Sequence, residues 1–320
     1  MRLPAKVLAA LAAAALTGCA MTSDAPAPPP SRGSDGLMAW PDLLERPRPE
    51  PGHSLSYGAD GMQVADLWLP EGPGPHPTVL MVHGGCWQTE IADRRIMAWT
   101  SEDLRRRGIA VWNIDYRGVD RAGGGYPGTF SDAAAAADAL RDQAPRHNLD
   151  IPRLVAIGHS AGGHLALWLA ARPAVNARAR SLLIPRGSPL IGTNPIAIRT
   201  VISLGGLPDL ELAATPPGSG CGTEIIERLV GPPTLSSRNV FADTSVPRLA
   251  PLGVPQVLIN GLQDRIIPTS YAEAYARRMR AAGDDVRVRM IDHTGHVELI
   301  SPGTAAWTAA VEEIERALGR

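Results

Sequence analysis

The amino-acid sequence predicts a single α/β domain on a doubly wound, mostly parallel sheet. Short apolar runs of strand length recur from about residue 53 onward, and segments of helical character separate them. Parallel neighbours need crossover connections and helices supply them, so this alternation specifies parallel pairing rather than hairpins. Size and composition agree: 320 residues, 44% hydrophobic and 20% charged, can bury a sizeable core.

The elements follow in order. Residues 1–18 open with Arg2 and Lys6 and then an apolar run from Val7 to Leu16. That run is too short to span a bilayer and has the form of a secretory signal. It ends in Leu16-Thr17-Gly18-Cys19, which resembles a bacterial lipoprotein box. Cys19 is therefore the expected lipidation site, and the chain is expected to be exported and anchored at the bacterial cell envelope. An ordinary signal peptide with a chance cysteine is the other reading. Residues 19–52 are rich in Pro, Ser and Gly and read as a tether.

The domain is expected over 53–320. Met62–Leu69 alternates apolar and polar residues as a half-exposed strand does, before the turn Pro-Glu-Gly-Pro-Gly-Pro. Thr78–Val82, Ile109–Ile114 and Leu154–Ile157 are continuous apolar runs suited to buried parallel strands. Ile91–Arg107 reads as a helix closed by Gly108. Ser131–Ala144 reads as an alanine-rich helix, with Ser131 and Asp132 as cap and dipole partner. Another helix begins at Ala161. Thr200–Leu204, Gln256–Asn260 and Val286–Ile291 are further strands, with helices near 270–282 and 302–318. The stretch 208–250 is longer than a connection requires and is expected to lie as a small cap over the carboxyl edge of the sheet.

Charge and composition exclude several classes. A formal charge of −1 with no basic cluster argues against a nucleic-acid partner. The only lysine is Lys6, so the mature chain has no amine for Schiff-base or Ser-Lys chemistry. With the signal removed no polybasic patch holds the protein to a membrane, and a lipid on Cys19 is the expected contact. No H-E-x-x-H or C-x-x-C spacing marks a metal site.

The chemistry concentrates in three places. Gly158-His159-Ser160-Ala161-Gly162 sits between a strand and a helix, where a tight turn exposes the serine hydroxyl and only small neighbours fit. His83-Gly84-Gly85-Cys86-Trp87 follows the Thr78–Val82 strand. The N–H groups of Gly85, Cys86 and Ala161 are the expected donors to a developing oxyanion. His83 is expected to brace this loop rather than act as base. Asp264 follows the Gln256–Asn260 strand and precedes His296, the order in which an acid and a base follow such a serine. Asp209 and Asp292 are weaker candidates for the acid. His296, behind Gly295, is preferred over His293 as the base, and His159 and His164 are expected to pack around the turn. Trp87 is either a wall of the substrate pocket or a buried core aromatic.

Together these motifs resemble the α/β-hydrolase fold, and within it the esterase branch that includes kynurenine formamidase-like enzymes and bacterial carboxylesterases. The runs Trp-Asn-Ile-Asp-Tyr-Arg and Gly-Gly-Gly-Tyr-Pro-Gly-Thr-Phe-Ser-Asp are also similar to that branch, and the likeness spans about residues 60–315. The resemblance implies a cofactor-free serine carboxylesterase acting on small esters through an acyl-enzyme, with Ser160, Asp264 and His296 as the triad. An arylformamidase is the alternative; a peptidase or a non-catalytic envelope binding protein follows behind it. Cys86 departs from the third glycine of the related lipase branch. Cys86 and Cys221 both fall near the carboxyl edge, and they are either disulfide-bonded or two free thiols.

Overall fold

The computed structural model describes residues 36–178, 187–192, 194–235 and 238–320. The expected signal 1–18, the lipidation site Cys19 and the first part of the tether lie outside the described residues.

Eight strands form one sheet: β1 (His53–Ser56), β2 (Val64–Trp68), β3 (His76–Val82), β4 (Ala110–Ile114), β5 (Leu149–His159), β6 (Thr200–Leu204), β7 (Gln256–Gly261) and β8 (Val286–Ile291). Their spatial order is β1-β2-β4-β3-β5-β6-β7-β8. The pairs β1–β2 and β2–β4 are antiparallel, and the remaining pairs are parallel.

Alternate residues of each central strand feed two cores. Leu80 and Val82 point to the face covered by α3 (Gly128–His147), α4 (Ala161–Arg178) and α7 (Thr269–Ala281). Val79 and Met81 point to the face covered by α2 (Ala98–Arg106) and α8 (Ala305–Leu318). Because both faces are buried, these strands are apolar throughout, which is why their sequences lack alternation. The winding reverses at β3. Its chain continues to β4 on one side, and β5 then pairs with its other side. The carboxyl ends of β3 and β5 therefore flank the crevice where open α/β sheets bind ligands.

Several elements differ from expectation. α3 begins at Gly128, so Ser131 and Asp132 lie inside it and cap nothing. The Asp132 carboxylate is drawn inward instead, accepting hydrogen bonds from the Arg117 guanidinium (2.7 Å each) and from Gln63. The helix expected from Ile91 starts later, with a 3-10 turn at Arg94–Met97 before α2, because Asp93 accepts from the Arg95 N–H. The 208–250 stretch carries two helices, α5 (Leu210–Ala213) and α6 (Thr223–Val230), and a 3-10 turn at Val246–Leu249.

The tether reading fails for its last part. Residues 36–52 include α1 (Trp40–Leu44), with Leu43 wholly buried and Met38 nearly so in the α2/α8 core. Asp42 in the first turn accepts the Ala39 N–H at 2.7 Å, which fixes the helix start. A proline-rich surrounding composition concealed this short apolar turn.

Candidate active site

The serine sits at the tightest point of the chain. β5 ends at His159 and α4 starts at Ala161, leaving Ser160 alone to turn the backbone. Its φ is +55°, a left-handed conformation that costs an L-residue energy and is kept only where the surroundings impose it. A Cβ on Gly158 would run into the Gly162 carbonyl, and one on Gly162 into the Val82 and His83 carbonyls. Both positions must be glycine for strand, turn and helix to close. The Ser160 N–H donates to the Leu204 carbonyl of β6 at 2.8 Å, and the Ser160 carbonyl accepts from Gly163 N–H at 2.9 Å.

Asp264 and His296 come from the loops after β7 and β8. The Asp264 Oδ2 accepts the His296 Nδ1–H at 2.7 Å. Its Oδ1 accepts the N–H groups of Ile266 and Ile267 at 2.8 and 2.9 Å. With Nδ1 donating, Nε2 of His296 carries the lone pair, which is the tautomer a general base requires. Ser160 (2% exposed) and His296 are both buried and line one cavity of about 230 Å³.

The alternatives are placed elsewhere. His293 stands in solvent at 89% side-chain exposure. Asp209 caps α5 and pairs with Arg278, and Asp292 bonds Gln263 at the surface. His164 donates Nε2–H to the Thr244 carbonyl among aromatic rings.

The loop after β3 approaches the serine so closely that a Cβ on Gly84 would lie 3.0 Å from the Ser160 Cβ. No described residue accepts a hydrogen bond from the N–H of Gly85, Cys86 or Ala161; Gly85 and Cys86 line the cavity with Ser160, and Ala161 follows it in the chain. His83 holds this loop. Its Nδ1 bonds the Gly84 carbonyl at 2.7 Å, its Nε2 bonds Asp115 at 2.9 Å, and its ring stacks on Tyr116 at 4.3 Å. Asp115 is itself paired with Arg94, which reaches Asp66.

Cys86 and Cys221 form a disulfide that joins this loop to the 208–250 segment. Gly220 beside it lines the cavity and donates its N–H to Ile266 at 2.8 Å. The segment is thus tied to both the β3 loop and the Asp264 loop. Trp87 does not line the cavity: it is wholly buried, edge-on to His164. The aromatic wall is Trp40, with Leu44, Ile91, Ile96 and Ile266. Sequence reasoning missed Trp40. The Trp-Pro-Asp helix start was its only local sign, and nothing local ties it to a loop some 250 residues away.

A family model described as BD-FAE matches residues 65–279, about two thirds of the chain. The chain is 28% identical over 232 residues to esterase LipC of Mycobacterium tuberculosis, covering 70% of this chain and 54% of that protein. It is 32% identical over 114 residues to a probable isoprenylcysteine alpha-carbonyl methylesterase of Oryza sativa subsp. japonica, covering 35% and 27% respectively. The chain thus spans about half or less of these curated relatives. Among solved structures, esterase B from Lactobacillus Rhamnosis superposes with a TM-score of 0.69 at 18% identity, covering 83% of this chain and 84% of that one. At that identity the likeness concerns the fold.

Proposed function

The chain belongs to the BD-FAE family, and on that premise we propose that it is a serine carboxylesterase hydrolysing small esters through an acyl-enzyme. Ser160 Oγ attacks the ester carbonyl while His296 Nε2 takes its proton. Asp264 holds the imidazole in the required tautomer and stabilises the imidazolium as it forms. The N–H groups of Gly85, Cys86 and Ala161 receive the oxyanion. The tetrahedral intermediate collapses with expulsion of the alcohol, which receives the His296 proton. A water, deprotonated by His296, then attacks the acyl-enzyme; the bond to Ser160 Oγ breaks, His296 returns the proton to that oxygen, and the acid leaves.

The observation that carries this reading is the 2.7 Å Asp264–His296 hydrogen bond in a site whose cavity His296 shares with a left-handed Ser160. The esterase LipC relationship supports ester rather than formamide chemistry. The test is turnover of a p-nitrophenyl ester series beside an N-formyl aromatic amine, by wild type and Ser160→Ala. Ester hydrolysis abolished by the substitution supports the proposal. Faster formamide than ester turnover, or ester turnover indifferent to Ser160, refutes it.

The setting we propose is the bacterial cell envelope, with Cys19 lipidated and the chain exported. The Leu16-Thr17-Gly18-Cys19 sequence supports it, and a disulfide suits an oxidising compartment. Among the described residues no helix is long and apolar enough to cross a membrane. Metabolic labelling with radioactive palmitate, lost in Cys19→Ala together with membrane sedimentation, is the expected outcome.

A further inference from the structure

We infer that Trp40 and Leu44, from a segment that precedes the family-matched span, form the wall that receives the leaving alcohol of the ester and select uncharged, apolar alcohols. The inference rests on the serine-esterase reading above.

The segment is held to the catalytic histidine loop by one buried carboxylate. Glu298 Oε1 accepts the Met38 N–H at 2.6 Å, and its Oε2 accepts the Gly295 N–H at 3.0 Å. Gly295 immediately precedes His296, so one side chain sets the distance between α1 and the base. The Trp40 ring then stands edge-on to His296, with centroids 6.3 Å apart and planes at 78°. It meets His159 in the same way, at 6.3 Å and 73°. Trp40 and Leu44 both line the cavity that contains Ser160.

The chemistry decides which half of the substrate meets this wall. The carbonyl oxygen must point at the N–H donors after β3 and β5. The leaving oxygen must come within hydrogen-bond reach of His296 Nε2, because it takes the proton from there. The group attached to that oxygen therefore leaves the reaction centre on the His296 side. Trp40 bounds that side, and Leu44 lies one helical turn further on.

The lining also restricts what the wall accepts. No Asp, Glu, Arg or Lys lines this cavity among the described residues. A charged alcohol would lose its hydration there without gaining a partner. A cavity of roughly 150 Å³ admits benzene, so about 230 Å³ accommodates a small aryl or branched alkyl group together with the reacting ester. The indole presents a face or an edge against which such a ring packs favourably.

Two substrate series on the full chain test the assignment. In one, acetate esters carry ethanol, butanol, phenol or 2-naphthol. In the other, p-nitrophenyl esters run from acetate to octanoate. Trp40→Ala is expected to lower the ratio of kcat/KM for phenyl over ethyl acetate about tenfold, while the acyl-length profile keeps its shape. Leu44→Trp, at a position 51% exposed, is expected to narrow the wall and reject 2-naphthyl relative to phenyl acetate by a similar factor. Should Trp40→Ala fail to fold by circular dichroism, Leu44→Trp decides alone. A changed acyl profile with an unchanged alcohol series would put Trp40 on the acyl side and overturn the inference, as would variants that move neither ratio. Ser160→Ala runs alongside: wild-type turnover that does not depend on Ser160 brings down the esterase reading itself, whereas Ser160-dependent turnover with unmoved ratios brings down only this inference.

Discussion

His159 Nε2–H donates to the backbone carbonyl of His296 at 3.1 Å, and the two rings lie 4.3 Å apart between centroids. The residue before the serine thus anchors the loop that carries the proposed base. Asp264 orients the imidazole ring, and His159 fixes the backbone from which that ring projects. Replacing His159 by Leu is expected to lower kcat/KM for p-nitrophenyl acetate by on the order of 10²-fold, the cost of misplacing a reacting group by about 1 Å. His159→Gln keeps an N–H donor and is expected to recover most of the loss. Burial, reinforced by the nearby His296, holds the His159 pKa well below the ordinary 6.5. The ring is therefore neutral at working pH, and the acid limb of the pH–rate profile should be the same in wild type and His159→Gln. A shifted limb would show His159 titrating in the mechanism.

The Cys86–Cys221 bridge spans 135 residues of sequence and holds the 208–250 segment against the loop that supplies two of the proposed oxyanion donors. Cys86 has φ +50°, a left-handed conformation that costs an L-residue energy and persists where the surroundings impose it. Cys86→Ser with Cys221→Ser should lower kcat for a short ester and remove about 2–4 kcal/mol of stability. Urea unfolding and steady-state turnover, with and without reductant, measure the two effects. Unchanged kcat in the double variant would mean that the bridge serves stability alone.

Acid should begin to weaken the fold below about pH 6.5, above the ordinary carboxylate range. Burial holds His164 down to about 4, and His159 is depressed for the same reason. His164 faces Trp87, Phe130 and the Thr244 carbonyl, with no charge among these contacts. Both rings stay neutral in the fold but protonate in the unfolded chain near 6.5. Between about 6.5 and 4 the unfolded chain therefore binds more protons, and stability falls as pH falls. For His164 alone the loss is on the order of 3 kcal/mol across that window. Urea midpoints at pH 7.5, 6 and 5 should decline, and His164→Gln should flatten the decline by about one proton.

Trp87 and Trp40 should behave oppositely. Trp87→Ala leaves a cavity in the core and is expected to cost about 3–5 kcal/mol in thermal or urea unfolding. Substrate preference of the remaining folded enzyme should not change. Trp40→Ala should alter preference with a smaller effect on stability, since Trp40 is half-buried.

The contrast between these tryptophans marks where sequence reasoning succeeds. The central strands were legible because parallel strands buried on both faces must be apolar, as in Val79–Val82 and Val155–Ile157. The serine turn was legible because sterics demand Gly158 and Gly162. The pairing of Asp264 with His296 was legible from their order and their place after strands. Trp87 was ambiguous because adjacency in sequence to a loop does not state which way the ring points. Trp40 was hidden because its role depends on Glu298, and contacts across 260 residues have no local signature.

That same long-range contact bears on when the protein becomes active. A chain emerging from the ribosome acquires Ser160 first and Asp264 later. It lacks His296, the proposed base, until that residue is made, and the Glu298 contact that fastens Met38 to the histidine loop follows two residues later. On the proposed mechanism, hydrolysis must wait until translation has passed residue 298. A precursor kept unfolded for the proposed export would likewise be inert, and the cytoplasm that makes it would be spared the proposed esterase activity among its own metabolites.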